Sequence, residues 1–174
     1  SLFTCTVDAT QYSLAFTTAP DFENPLDGGA GNTYVVYVTI SDGTNTGSMV
    51  QYTISVTDKS EFTIGATTDS NTASNTVSEG ASDNAEVGIT AIATDDDDGD
   101  SVTYTMQTTT TACDGWFDIG SSDGIVRVDG SSELDYETVT ACVISVTSTS
   151  TDTSTSTEDF TITLTDVNEH AVTS

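Results

Sequence analysis

Two stretches of the chain alternate strictly between apolar and small polar residues. They are Val50-Gln51-Tyr52-Thr53-Ile54-Ser55-Val56-Thr57 and Phe160-Thr161-Ile162-Thr163-Leu164-Thr165. A period of two turns every second side chain to the same face, so each predicts a half-buried β-strand. Both run into an acid, Asp58 and Asp166. Shorter runs at residues 34–40, 102–106, 125–128 and 143–146, bounded by Gly, Asp, Asn or Ser, predict further strands. No segment repeats its apolar positions at helical spacing with caps, so at most a helical turn or two is expected. Short strands separated by polar turns predict an antiparallel β-sandwich.

Superimposing the two Asp-terminated strands reveals an internal repeat. Asp21-Phe22-Glu23, residues 38–43 and residues 54–58 match Asp135-Tyr136-Glu137, residues 143–146 and residues 162–166, with Asp166 following Asp58 by 108 residues. Counted back by that period, the first copy opens before Ser1. Residues 1–58 then read as the C-terminal half of a domain, 59–170 as a complete domain and 171–174 as the start of a further linker. A sandwich without its opening strands exposes a sheet edge and an apolar inner face. Cover is therefore expected from an upstream part of a longer polypeptide or from strands lent by a neighbouring chain.

Charge narrows the function. Lys59 and Arg127 are the only basic residues of Lys or Arg type against 28 acids, a formal net charge of −26. Such a chain repels nucleic acid and anionic lipid. Of the acids, 20 are Asp, the short carboxylate that suits turns and hard-cation loops, so bound cations are expected. The longest apolar run, Tyr34-Val35-Val36-Tyr37-Val38, falls far short of the roughly 20 residues of a bilayer span. The three cysteines, Cys5, Cys113 and Cys142, lack metal-type spacing, and with the high acidity they suit an oxidising, extracellular setting that also supplies calcium. Catalysis finds little support: the one histidine is His170, Lys59 stands alone, and no Gly-x-Ser-x-Gly turn occurs.

The repeat resembles the cadherin repeat of extracellular calcium-dependent proteins. Val77-Ser78-Glu79 looks like that family's acidic position after the first strand, and Asp95-Asp96-Asp97 like its Asp-x-Asp. Residues 117–124 resemble its Phe-x-Ile and Gly turn, Leu134-Asp135-Tyr136-Glu137 its Leu-Asp-x-Glu, and Asp166-Val167-Asn168-Glu169-His170 its interdomain Asp-x-Asn-Asp-Asn. The resemblance covers 59–170 as one whole repeat and 1–58 as the latter half of another. It implies an all-β, cadherin-like, immunoglobulin-like Greek-key β-sandwich in tandem, with Ca2+ at each junction.

Carried over residue by residue, the junction between the copies would use Asp21, Glu23, Asp42 and Asp58 from the first and Glu79, Asp95 and Asp97 from the second. Ser60 and Glu61 lie in the linker. Asp135, Glu137, Asp166, Asn168 and Glu169 would form half of a following site. The sequence departs from the family in having Ser60, Phe62 and Ser101 where Asn is usual, which implies fewer or weaker ions than the family's three. Calcium takes six to eight oxygens, more than any local loop here supplies, so the ligands must converge from several loops. An EF-hand fits poorly, because Gly99 at its sixth position would put Thr94 first and Thr105 last.

Cys113 and Cys142 lie in one repeat. A bridge between them would stabilise the fold by roughly 3–4 kcal/mol in the chain-entropy model, the alternative being two buried thiols. Cys5 would pair with a missing segment or another chain. Residues 147–157 are almost pure Ser and Thr, read as a solvated strand and loop or as a site of O-linked glycans. Trp116 and Phe117 read as core in preference to a sugar-stacking face. The expected role is structural: a section of an extracellular fibre or stalk of calcium-stiffened repeats, partnered by neighbouring repeats or copies of itself. The alternative is a calcium-dependent cell-adhesion or polysaccharide-binding module.

Overall fold

Thr, Val, Ile and Tyr dominate the alternating runs, side chains that pack well on a pleated surface. The computed structural model is accordingly built from strands, with one 3-10 turn at Thr111–Cys113 among the described residues. It describes residues 1–8, 11–97, 99–130 and 134–168. The chain divides into two units, Ser1–Lys59 and Ser60–Ser174.

In the first unit β1 (Phe3–Asp8) and β2 (Gln11–Phe16) form one antiparallel hairpin, and β3 (Thr33–Val38) and β4 (Val50–Ser55) form another. Register gives each hairpin an apolar face. Phe3, Cys5 and Val7 lie opposite Phe16, Leu14 and Tyr12; Tyr34, Val36 and Val38 lie opposite Ile54, Tyr52 and Val50. These faces meet at one end, where the ring of Phe16 lies 4.5 Å from Phe3 and 5.2 Å from Tyr34. Elsewhere a cleft of about 260 Å3 stays open between Cys5, Tyr12, Leu14, Val38 and Tyr52.

The second unit carries β5 (Thr68–Asp69), β6 (Thr76–Ser78), β7 (Glu86–Ile92), β8 (Val102–Thr108), β9 (Phe117–Ile119), β10 (Ile125–Val128), β11 (Ala141–Ser150) and β12 (Thr155–Thr165). They make two four-stranded sheets, ordered β5-β7-β10-β9 and β6-β12-β11-β8. All neighbours are antiparallel except β6 and β12, which run parallel. Alternate residues of both sheets interdigitate: Val87, Ile89 and Val126 from one, Ile144, Val146, Ile162 and Leu164 from the other. Trp116 and Phe117 join this core, the role the sequence favoured for them. So do Cys113 and Cys142, which are bonded to each other, while Cys5 is a free, exposed thiol. At Gly88, with φ +86°, a Cβ would lie 2.3 Å from the carbonyl oxygen of Ser74, so the crossing of β7 with the preceding loop requires glycine.

The repeat read from the sequence recurs in the hydrogen-bond ladder. Thr33↔Ser55 through Val38↔Val50 is the pairing Ala141↔Thr163 through Val146↔Glu158 displaced by 108 residues. The bond from the Val56 N–H to the Asn32 carbonyl recurs from Leu164 to Thr140, both at 2.9 Å. Thus β3 and β4 are the counterparts of β11 and β12.

Residues 147–157 close the β11–β12 hairpin, and their two hydroxyl types face opposite ways. Ser148 and Ser150 are buried, whereas Thr147 and Thr149 sit on the outer face between Thr105 and Thr103 of β8 and Thr157 and Thr155 of β12. The run is therefore strand and turn, as expected, but its serines are buried or half-buried. They serve residues 64–67, which pass alongside without a ladder: Ile64 N–H donates to Ser154 Oγ, Thr67 N–H to Ser156 Oγ and Thr67 Oγ1 to Ser148 Oγ, at 2.8–2.9 Å. A small hydroxyl lets this backbone approach and still satisfies it.

Candidate metal centres

Two acidic clusters sit at opposite ends of the second unit. The 11-residue β12 separates them: one lies by the turn before Thr155, the other after Thr165, about 35 Å apart at a strand's rise per residue.

At the first end Asp95, Asp97 and Asp100 bring carboxylate oxygens within 4.8 Å of one another. Asp97 is 5% exposed and accepts the N–H groups of Glu61 and Phe62 at 3.2 and 3.1 Å, so it anchors the start of the unit. Asp100 accepts the Thr151 hydroxyl at 2.6 Å. Asp95 takes the Asp97 N–H on Oδ1 at 3.3 Å, while its Oδ2 is buried with no hydrogen-bond partner. A buried, unpartnered carboxylate oxygen among other carboxylates is costly unless a cation meets it. This donor set of hard oxygens fits Ca2+. Asp100 was not among the ligands read from the sequence, although it closes the same acidic run.

At the far end Glu79, Glu137 and Asp166 converge within the same limit. Glu79 is 6% exposed; it accepts the Tyr136 N–H at 2.7 Å and the Val167 N–H, tying the Asp135-Tyr136-Glu137 turn to the segment after β12. This corrects the grouping drawn from the sequence, which placed Glu79 with Asp95 and Asp97. The cause is the parallel pairing of Thr76–Ser78 with Thr163–Thr165, which carries Glu79 past the end of β12 to Asp166. Asp135 lies outside that cluster. Its carboxylate accepts the Thr138 hydroxyl and N–H at 2.6 and 2.8 Å, and these bonds hold its pKa below 3.8. Asn168 is exposed, and Glu169 lies outside the described residues.

Of the remaining candidates, Asp21 and Asp42 act as turn caps. In the first unit Asp21 accepts the Asn24 N–H at 3.0 Å, and Glu23 is half-buried with Oε1 unpartnered. Asp42 accepts the Asn45 and Thr44 N–H groups at 2.6 and 2.9 Å, which lower its pKa; Asp58 is exposed. In the second unit the Ser60 hydroxyl donates to Asp152 at 3.2 Å. Asp152 caps the β11–β12 turn through the Ser154 N–H at 2.7 Å, much as Asp42 caps the β3–β4 connection, and its pKa is lowered by the Ser154 hydroxyl and N–H. Arg127 is engaged with Asp123 at 2.9 Å, away from both clusters.

No protein-family model and no curated protein matches the chain. Solved structures do. Mouse clustered PcdhgC3 EC1-3 superimposes over 95% of the chain with a TM-score of 0.69 at 17% identity. Protocadherin gammaB7 EC3-6, a cis-dimer structure, gives 0.66 over 97% at 17% identity. Human mucin-like protocadherin EC1-2 gives 0.62 over 96% at 20% identity. The chain spans 53%, 40% and 81% of those three chains respectively. At such identities the likeness establishes the fold: the chain is an all-β, cadherin-like β-sandwich protein. Among the described residues no helix is long and apolar enough to cross a membrane.

Proposed function

We propose that the chain is part of an extracellular, adhesion-type array of cadherin-like repeats in which Ca2+ binds at both ends of each complete sandwich. The observation that carries this is the pair of acidic clusters at the two ends of β12, each built on a buried carboxylate already oriented by backbone N–H groups, Asp97 and Glu79. Each cluster draws its acids from distant parts of the sequence or from a linker-anchoring loop. A cation there would hold the chain where it enters and leaves the sandwich, and carboxylates that repel one another without it would become a rigid joint. Ca2+ would supply charge neutralisation and six to eight coordination positions; Asp95, Asp97 and Asp100 would hold it at one end, with Glu61 of the linker, and Glu79, Glu137 and Asp166 at the other.

Within this reading, Asp21, Glu23, Asp42 and Asp58 are the acids the first copy offers to a junction, and the finished assembly is a fibre or stalk of neighbouring repeats or copies of the chain. The outward Thr rows of β8, β11 and β12 would accept O-linked sugars; intact mass before and after deglycosylation reads that load. Calorimetric titration of the metal-free chain with CaCl2 tests the central claim. Saturable binding, with a rise in melting temperature that MgCl2 does not reproduce, is expected. No heat and no change in melting would overturn it.

A further inference from the structure

Asp100 is placed in the first acidic cluster by another strand. Asp97, in the same run, is fixed by the N–H groups of Glu61 and Phe62. Asp100 instead follows Gly99, which has a φ of +89° and open space around it, and its own N–H reaches the Asp97 carbonyl only at 3.4 Å. The side-chain bonds that the described residues give its carboxylate come from the end of β11. The Thr151 hydroxyl donates to Oδ1 at 2.6 Å, and the Ser150 hydroxyl donates to Oδ2 at 3.4 Å. Thr151 Oγ1 also accepts the Ser101 N–H at 3.1 Å, which fixes that oxygen and leaves its one proton for Asp100. Ser150, 3% exposed, is held within the sandwich.

A carboxylate oxygen carries two lone pairs, so each oxygen of Asp100 keeps one free for a cation in the space it shares with Asp95 and Asp97. Without the hydroxyls, like charge within 4.8 Å would drive the half-buried Asp100 out into water. The turn that supplies Thr151 also grips the chain entering the unit. It is closed by the Thr153 N–H on the Ser150 carbonyl and the Ser150 N–H on the Ser154 carbonyl, both at 3.0 Å. Thr153 has a φ of +77°, a region that a β-branched residue enters only when its surroundings hold it there. The holding bonds run outward: Thr151 to Asp100, the Ser60 hydroxyl to Asp152 at 3.2 Å, and the Ile64 N–H to Ser154 Oγ at 2.9 Å. Asp100 and residues 60–64 are thus fastened to one turn.

We propose that Thr151, backed by Ser150, is the positioning residue of the cation site formed by Asp95, Asp97 and Asp100. Through the turn it occupies, it joins filling of that site to the hold on Ser60 and Ile64. Thr151 acts through Asp100 and is not itself a ligand. The inference rests on the cation reading above and extends it, tracing the aim of the third acid to a hydroxyl 51 residues further along the chain.

Amide NMR of the whole chain titrated with CaCl2 reads the two clusters separately, Asp97 and Asp100 reporting on one and Glu79 and Glu137 on the other. Thr151 is exposed, and Thr151→Val keeps its size and branching while removing the proton. In that variant the half-saturating CaCl2 concentration should rise about tenfold at the first cluster, as when a ligand loses its hydrogen-bond partner, and stay unchanged at the second. Thr151→Ser, which keeps the hydroxyl, should restore it. Adding CaCl2 should slow exchange of the Ile64 amide in the parent chain, and by clearly less in Thr151→Val. Should Val disturb the turn, Thr151→Ala removes the same proton with less bulk and should give the same tenfold loss. A role confined to stability would shift the melting of the metal-free chain and leave both half-saturation points alone. That result, an equal loss at both clusters, a loss that Ser does not restore, or equal slowing of Ile64 in both chains would overturn the assignment and leave the cation reading standing. Asp97 and Asp100 amides of the parent chain that ignore CaCl2 would overturn both.

Discussion

Glu79 lets a structural role be tested apart from the proposed metal-binding one within one side chain. Replacing it by Ala leaves the Tyr136 and Val167 N–H groups without their acceptor, and each lost part-buried bond costs about 1 kcal/mol, so Glu79→Ala should unfold in clearly less urea. Glu79→Gln keeps one carbonyl acceptor and loses the charge. Its stability without metal should fall less than that of the Ala variant, while the melting-temperature gain from CaCl2 shrinks. An unchanged calcium gain in Glu79→Gln would remove Glu79 from the metal site. The caps titrate in a defined direction. Hydrogen bonds hold the folded pKa values of Asp42, Asp135 and Asp152 below 3.8, so their contribution is present above that pH and is lost as pH falls through the lower folded values. Carboxyl NMR titration should give midpoints below 3.8 for all three, and Asp152→Asn should abolish the acid-sensitive part of the β11–β12 turn. At this scale the convergence of Asp95 and Asp97 was legible because an Asp-x-Asp spacing is local. The grouping of Glu79 was not, because it is set by a pairing between strands some ninety residues apart in the chain.

Among the elements, the disulfide and the serine-lined strand carry the sharpest expectations. Joining Cys113 to Cys142 closes a separation of 29 residues and ties the turn after β8 to β11. Mutating both to Ala should cost roughly 3 kcal/mol in denaturant titrations. Ser148→Ala removes one of two acceptors of the buried Thr67 hydroxyl, which keeps the Ser156 carbonyl at 3.0 Å, and should cost about 0.5–1 kcal/mol, whereas Thr149→Ala on the outer face should be near neutral. Strands β3, β4, β8, β10, β11 and β12 were visible as alternation, with ends displaced by a few residues. β7 was missed although Val87, Ile89 and Ala91 keep the alternation; on its other face stand Gly88, which the backbone it crosses requires, and Ile92, which blur the polar half of the pattern. β1 and β2 were missed because Thr, Ser and Cys fill their alternate sites, and such residues score weakly for either face. β5, β6 and β9, at two or three residues each, carry too little pattern to register at all.

For the whole molecule, a net charge of −26 on 174 residues means that self-repulsion opposes the folded state and that any counter-ion helps a little. Sodium chloride should therefore raise the melting temperature of the metal-free chain gradually. Millimolar CaCl2 should raise it by more than NaCl of equal ionic strength, because site binding adds to screening. Equal effects of the two salts would reduce the clusters to ordinary surface acidity. The fold class was legible at this scale because short strands, sparse helix formers and a 108-residue period all point one way.

One pairing sets how the second unit responds when its two ends are drawn apart. β6 lies near the start of the unit and β12 at its end, and they run parallel at Thr76–Ser78 and Thr163–Thr165. Tension applied to the two ends therefore slides these strands past each other and strains their bonds all at once, in shear. Antiparallel neighbours drawn from one side would unzip singly. With Glu79 holding the segment just beyond that patch, resistance to stretching is concentrated where the chain leaves the sandwich.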